Sequence, residues 1–149
     1  MRVLLISTSV ILVLLGVLVS ATDLCIACGC VICVKPNNVA NEPSLKQISP
    51  QDFSAKLNED VVLIDIRTLD EFNAGHIAGA ENLDFYSPQF SSNLDALDKD
   101  KTYLIYCRTS SRSSQALNMM RTLGFREVYE LEGGIVSWSN HNFPVLINY

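Results

Sequence analysis

The sequence predicts an α/β fold in which a parallel β-sheet of about five strands carries helices on both faces, preceded by an apolar N-terminal signal or anchor helix. Two short segments, 61–66 and 102–106, are almost entirely apolar, which is typical of strands buried on both faces of a parallel sheet. Strand and helix patterns alternate along residues 42–149, as in right-handed βαβ units. That length is sufficient for one hydrophobic core without a disulfide or a metal ion.

The first half of this domain begins with a short strand at residues 45–48. Ser49 is the predicted N-cap of the first helix, because a serine hydroxyl accepts a hydrogen bond from the first turn, and Pro50 fits the first helical position. The buried strand 61–66 follows. Thr68 is then predicted to cap a short helix whose first turn is acidic.

The second half repeats the alternation and ends its longest helix at Gly124, since glycine is favoured just after a helix. The predicted elements are a weak strand at 81–83, a helix at 87–97, a strand at 102–106, a helix at 113–123, a strand at 128–131 and a helix at 135–140.

The first 21 residues predict a signal peptide or a membrane anchor. Residues 3–21 contain no charge, Arg2 precedes them, and Val19, Ser20 and Ala21 resemble a small-residue cleavage site. Without cleavage, these residues at about 1.5 Å each would nearly span a bilayer. We therefore expect an exported or membrane-anchored protein, on the periplasmic side of a bacterial membrane.

Residues 22–41 combine a Cys-rich segment with a linker rich in Asn and Pro at 35–41. The spacing is too short for two zinc knuckles around one ion and would strain disulfides. The cysteines could instead extend the apolar segment as small hydrophobic residues, or residues 26–30 could be a lipid-attachment site, since they resemble a bacterial lipobox. The role of these four residues stays open: Cys25, Cys28, Cys30 and Cys33.

The charge balance excludes some partners. The chain has a formal charge of −5, and residues 42–149 alone carry −6, so no basic surface for nucleic acid is expected. A mean hydropathy of +0.21 excludes a disordered chain.

The loop after the strand 102–106 is the candidate site. Ligands of such sheets bind beyond the carboxyl ends of the strands, and helix N termini and arginines both stabilise anions. Cys107 opens the loop, and positive surroundings favour its reactive thiolate form. The candidate site residues are Cys107, Arg108, Thr109, Ser110, Ser111, Arg112 and Ser113.

Four segments follow one another in a characteristic order and spacing: 62–67 with Glu71 and Phe72, then 75–80, the loop 106–113, and 131–135 with Trp138. In these segments the chain from Leu45 to Pro144 resembles the single-domain rhodanese-like sulfurtransferases.

This resemblance implies a sulfurtransferase that moves a sulfane sulfur through a persulfide on Cys107. The donor would be thiosulfate or a persulfide, and the acceptor a thiol or cyanide. The backbone N–H groups from Arg108 to Ser113 would cradle the persulfide, and Arg108 and Arg112 would attract the sulfonate end of the donor. No cofactor and no metal are expected. The membrane would be a partner only through the N-terminal segment.

Three alternatives stay open. Cysteine phosphatases place five residues between Cys and Arg, but here four residues separate Cys107 from Arg112, which favours sulfur over phosphate. A non-catalytic binding or regulatory module at the membrane is possible because Ser110 stands where many relatives have Gly, which adopts positive φ freely. The N-terminal cysteines could also serve as a redox or sulfur-delivery partner of Cys107.

The remaining marked residues have supporting interpretations. Asp65 and Arg67, at the end of the central strand, could brace the active-site loop through a salt bridge. His76 is expected to be a structural histidine, and Trp138 a core residue.

Overall fold

The computed structural model describes residues 42–147. The predicted signal or anchor helix at 1–21 and the Cys-rich segment and linker at 22–41 lie outside these residues and stay predictions. No helix among residues 42–147 is long and apolar enough to cross a membrane.

The prediction of a parallel sheet is confirmed. Its five strands are all parallel and follow the order β1-β5-β4-β2-β3, so β4 lies at the centre. The strands are β1 (Ser44–Ile48), β2 (Val62–Asp65), β3 (Glu81–Asn82), β4 (Thr102–Tyr106) and β5 (Glu127–Leu131).

Helices cover both faces of the sheet, as predicted. One core cluster contains Phe90 and Leu94 together with Leu117 and Met120, and the other contains Phe53 and Trp138. The helices are α1 (Pro50–Lys56), α2 (Leu69–Ala74), α3 (Phe90–Asp95), α4 (Ser111–Thr122) and α5 (Gly134–Asn140).

The predicted helix caps are observed, whereas several predicted ends shift. The N–H group of Asp52 donates to Ser49 Oγ at 3.2 Å, and Thr68 forms a capping box with Glu71. Helix α3 is shorter than the predicted 87–97, because Ser87 instead closes a turn by donating its N–H group to Asp84. Helix α4 begins at residue 111 rather than 113.

The register brings the carboxyl ends of the central strands to one edge. Asp65 at the end of β2 pairs with Tyr106 at the end of β4, and Glu130 of β5 pairs with Ile105 of β4. The residues that follow β2, β4 and β5 therefore meet above the same edge of the sheet.

Candidate active site

Cys107 follows β4 directly and is only 1% exposed. Its carbonyl oxygen accepts a hydrogen bond from the N–H group of Ile135 at 2.9 Å, and that of Arg108 accepts one from Val136 at 3.2 Å. The first N–H groups of a helix have no partner within the helix, so the start of α5 uses two of them to hold the cysteine loop.

Gly134 makes this contact possible. Its φ is +61°, and a Cβ at this position would lie 2.5 Å from backbone atoms of both Cys107 and Arg108. Only glycine fits this close approach between two backbone segments.

The loop continues into α4, whose N terminus lacks a side-chain cap. Within residues 42–147, none of the N–H groups from Arg108 to Ser113 donates to another protein group, and the N-cap residue Ser110 makes no capping hydrogen bond. The sequence prediction placed an anion cradle on these N–H groups. They have the hydrogen-bonding capacity that such a cradle needs.

Ser110 adopts the left-handed conformation, with φ 72° and ψ −17°. For a residue with a Cβ this conformation costs about 1–2 kcal/mol. The Ser110 hydroxyl donates to the carbonyl oxygen of Leu131 at 3.0 Å, which offsets part of that cost and ties the loop to β5. Serine thus takes at this position the backbone conformation that glycine takes freely.

The guanidinium group of Arg112 forms a two-pronged ion pair with Glu71. Nη1 and Nη2 donate to the two carboxylate oxygens at 2.7 and 2.9 Å. These hydrogen bonds lower the pKa of Glu71 to about 2 and raise that of Arg112. Arg112, predicted to attract the sulfonate, is thereby bound to α2, whereas Arg108 is exposed.

Glu71 was not among the predicted site residues. Its acidic position in the first turn of α2 already had a local explanation as part of the capping box with Thr68. Its contact with Arg112 joins residues 41 positions apart, so local sequence patterns contain no signal for it.

The predicted salt bridge between Asp65 and Arg67 is present and buried. Arg67 Nε lies 2.9 Å from Asp65 Oδ2, and Arg67 Nη2 also donates to the carbonyl oxygen of Gly75 at 2.7 Å. In the described part of the chain this pair makes no hydrogen bond to loop residues 107–113. It fixes the end of α2, and the contact of α2 with the start of α4 is made by Glu71 and Arg112.

A second carboxylate missed by the sequence analysis is Glu130, which is only 1% exposed. The hydroxyl groups of Ser113 and Ser114 donate to its Oε1 at 2.7 and 2.8 Å. Ser113 Oγ also lies 3.4 Å from Cys107 Sγ. An acidic residue inside the predicted buried strand 128–131 was the available signal, because a buried carboxylate requires hydrogen-bond partners.

His76 and Trp138 make structural contacts, which are the roles expected for them. His76 stacks on Phe72 and its Nδ1 lies 3.1 Å from the Phe72 carbonyl oxygen, while Trp138 is buried and donates to the carbonyl oxygen of Pro144. Over residues 42–147 there is no group of three or more potential metal ligands.

Comparisons with known proteins show which family and which structures the chain resembles. The family model for the rhodanese-like domain matches residues 49–141. The chain is 34% identical over 104 residues to a sulfurtransferase of Allochromatium vinosum, covering 68% of this chain and 95% of that protein. It is 36% identical over 100 residues to the thiosulfate sulfurtransferase GlpE of Stutzerimonas stutzeri, covering 66% of this chain and 88% of that protein.

Among solved structures, a rhodanese-related protein from Thermoplasma volcanium superimposes with a TM-score of 0.62 at 26% identity. The match covers 69% of this chain and 99% of that structure.

Proposed function

Because the chain belongs to the family of rhodanese-like domains, with relatives that are named sulfurtransferases, we propose that it transfers a sulfane sulfur through a persulfide on Cys107. The observation that carries this proposal is the position of Cys107 at the start of a loop whose N–H groups have no protein acceptor within residues 42–147. This surrounding favours an anionic sulfur.

In the first half-reaction, the Cys107 thiolate attacks the outer sulfur of thiosulfate or of a persulfide donor. The sulfur–sulfur bond of the donor breaks, and sulfite or a thiolate leaves with the bonding electron pair. The terminal sulfur of the new Cys107 persulfide is anionic and accepts hydrogen bonds from the loop N–H groups. A thiol or cyanide then takes this sulfur, so the kinetics are ping-pong.

The two arginines have different roles in this proposal. Arg112 is bound to Glu71 and holds the N terminus of α4 in place. Arg108 directly follows Cys107 and is exposed, so its guanidinium can bind the sulfonate of thiosulfate. The thiosulfate sulfurtransferase named among the relatives supports thiosulfate as the first donor to test.

The test is mass spectrometry of the full chain after incubation with thiosulfate. We expect the mass of one sulfur atom to be added to the tryptic peptide 102–108, which contains Cys107, while the four N-terminal cysteines fall in a different peptide. Sulfite release should require Cys107 and disappear in Cys107→Ser. Sulfite release by Cys107→Ser at the wild-type rate would contradict the proposal.

A non-catalytic binding module is the alternative outcome of the same experiment. No sulfur adduct with thiosulfate or a persulfide donor, combined with equal anion binding by wild type and Cys107→Ser, would favour it.

We further propose that the N-terminal segment directs the domain out of the cytosol or attaches it to a membrane, on the periplasmic side in a bacterium. The support is the uncharged segment 3–21 after Arg2. N-terminal analysis of the protein from its native membrane fraction distinguishes the forms. A start at Thr22 indicates cleavage, a start at Met1 an anchor, and a lipid-blocked start at Cys30 a lipoprotein, whereas recovery only in the cytosolic fraction would contradict the proposal.

A further inference from the structure

Glu130 is a buried acid for which the sulfur-transfer steps above have no role. It lies on the face of β5 that packs against α4, where both of its hydrogen-bond donors, Ser113 and Ser114, are located. A carboxylate so deeply buried is costly unless it is paired with a cation or neutralised by a proton.

No cation pairs with Glu130 within residues 42–147. Its neighbours in the sheet register are Gln47 of β1 and Ile105 of β4, and neither titrates. The charged side chains on β1, β5 and α4 contact other groups: Lys46 lies over the Tyr129 ring, Glu127 accepts from Thr102 and Tyr129, Arg112 binds Glu71, and Arg121 binds Asn118 and Leu45.

Ser113 connects Glu130 to the nucleophile. Its hydroxyl oxygen lies 2.7 Å from Glu130 Oε1 and 3.4 Å from Cys107 Sγ, and it also lies 3.2 Å from the carbonyl oxygen of Ser110. A serine hydroxyl has one proton to donate and can accept another, so it cannot donate to a carboxylate and a thiolate at the same time. When Cys107 and Glu130 share one proton in addition to the hydroxyl proton of Ser113, each of the three side chains can take part in a hydrogen bond.

We propose that Glu130 takes, through the hydroxyl of Ser113, the proton that Cys107 releases when it becomes a thiolate. The Cys107 S–H proton passes to Ser113 Oγ, and the Ser113 hydroxyl proton passes to the Glu130 carboxylate. The products are a thiolate that accepts a hydrogen bond from Ser113 and a neutral carboxyl group that donates one to Ser113. Glu130 is thus a positioning residue for the proton, and Cys107 stays the only nucleophile.

Charged side chains other than Cys107 and Glu130 also belong to the elements around this pair. The pKa of Arg112 in α4 is raised by its hydrogen bonds to Glu71 of α2 and, to a smaller extent, by the negative charge of Cys107. At the end of β2, Asp65 and Arg67 bind each other, and α5 carries no charged residue. Within residues 42–147, Ser113 therefore connects Cys107 to Glu130 and to no other charged side chain.

The test is a titration of the ultraviolet absorbance of the Cys107 thiolate in the full chain, obtained as the difference between each protein and the same protein carrying Cys107→Ser. In the wild type, the thiolate should form over a broad pH range or in two steps. In Glu130→Gln, whose amide resembles the neutral carboxyl group, it should form in a single step, with its midpoint about one pH unit or more lower.

Two serine variants separate proton sharing from simple charge repulsion. Ser113→Ala removes the hydroxyl group that connects Glu130 to Cys107. When Glu130→Gln is added to Ser113→Ala, it should therefore shift the midpoint of thiolate formation much less than it does in the otherwise wild-type protein. Ser114→Ala is the matched control, because Ser114 binds Glu130 but has no hydrogen bond to Cys107 in the described structure. An equal effect of Glu130→Gln with and without Ser113 would overturn the proposal, as would identical titrations of wild type and Glu130→Gln.

This inference rests on the proposed function only for its purpose, because the thiolate titration needs no sulfur donor. A coupled titration without persulfide formation would refute the sulfur transfer alone, whereas persulfide formation without coupling would refute the role of Glu130 alone. Circular dichroism checks the fold. Should Glu130→Gln fail to fold, the comparison of Ser113→Ala with Ser114→Ala decides, since only Ser113→Ala should narrow the titration to one step.

Discussion

The connections that follow β2 and β4 occupy equivalent places at one edge of the sheet, but they treat the N terminus of the next helix in opposite ways. After β2, Thr68 and Glu71 close the start of α2 with a capping box, and Arg67 binds both Asp65 and the carbonyl oxygen of Gly75. The polar groups of this connection therefore satisfy one another.

After β4, the start of α4 is left open. In the part of the chain that the structure describes, Ser110 provides no cap, and the N–H groups from Arg108 to Ser113 have no protein acceptor. A missing N-cap costs about 0.5–2 kcal/mol. Of these two helices, α4 is the one without a side-chain cap, and it begins beside Cys107, where an anion can take the place of the cap.

The largest expected effect on stability comes from Gly134, at the start of α5, which contacts the loop after β4. Gly134→Ala should lower the free energy of unfolding by about 3 kcal/mol or more, because its Cβ meets the backbone of Cys107 and Arg108 at a positive φ. Urea denaturation measures the loss. Gly124→Ala is the control, with a similar φ of +84° but open space around it, and should cost about 1 kcal/mol. Equal losses in both variants would show that the close approach at Gly134 has no energetic effect.

The next effect concerns the ion pair that joins the closed connection to the open one. Glu71→Gln should lower the free energy of unfolding by about 1–2 kcal/mol at neutral pH, since it weakens two charged hydrogen bonds to Arg112. The pKa of Glu71 is lowered by folding, so this contribution is complete above the ordinary value of 4.5 and is lost as pH falls towards about 2.

Urea denaturation of both proteins across this pH range tests that dependence. The exposed pair of Lys56 and Glu59 gives the control Glu59→Gln, which should change stability little at any pH. A difference between wild type and Glu71→Gln that is constant from neutral to acid pH would rule out the charge of Glu71 as its cause.

A smaller loss of stability is expected when the capped N terminus of α2 loses its cap. Thr68→Ala removes the N-cap of α2 and should lower the free energy of unfolding by about 1 kcal/mol. Ser111→Ala, at the first residue of the uncapped α4, should change it by less than about 0.5 kcal/mol. Thermal or urea denaturation distinguishes the two, and a loss in Ser111→Ala as large as in Thr68→Ala would break the contrast between the two helices.

The smallest effect is expected at Ser110. Ser110→Gly relieves the left-handed backbone but loses the hydrogen bond to Leu131 and adds chain entropy, so the net change should stay below about 1 kcal/mol. Ser110→Ala keeps the backbone cost and loses the bond, and should be less stable than Ser110→Gly. The reverse order in denaturation experiments would mean that the left-handed conformation carries no cost at this position.

The sequence was informative where local patterns determine structure. The apolar segments 61–66 and 102–106 predicted the inner strands β2 and β4 because burial on both faces strongly favours apolar residues. The change from β4 to a short cationic loop and then to a helix predicted the position of the site. Ser49 and Thr68 predicted two helix starts through their hydroxyl groups.

Contacts between distant residues could not be predicted in this way. The pairing of Glu71 with Arg112 depends on how α2 and α4 lie across the sheet edge. The contact of Glu130 with Ser113 depends on which face of β5 carries the carboxylate. The φ of Ser110 is set by the path of the loop between β4 and α4, whereas sequence alone shows only that glycine is missing there.

The order of the strands also determines when the protein can assemble during translation. Strand β1 leaves the ribosome first, but its partner in the described sheet is β5, so Ser44 waits for Glu127, 83 residues later. Such distant pairings are slow to form because a long chain segment must first be ordered. The cysteine loop depends on residues made later still, Ile135 and Val136, so the site becomes complete only after nearly the whole domain has emerged.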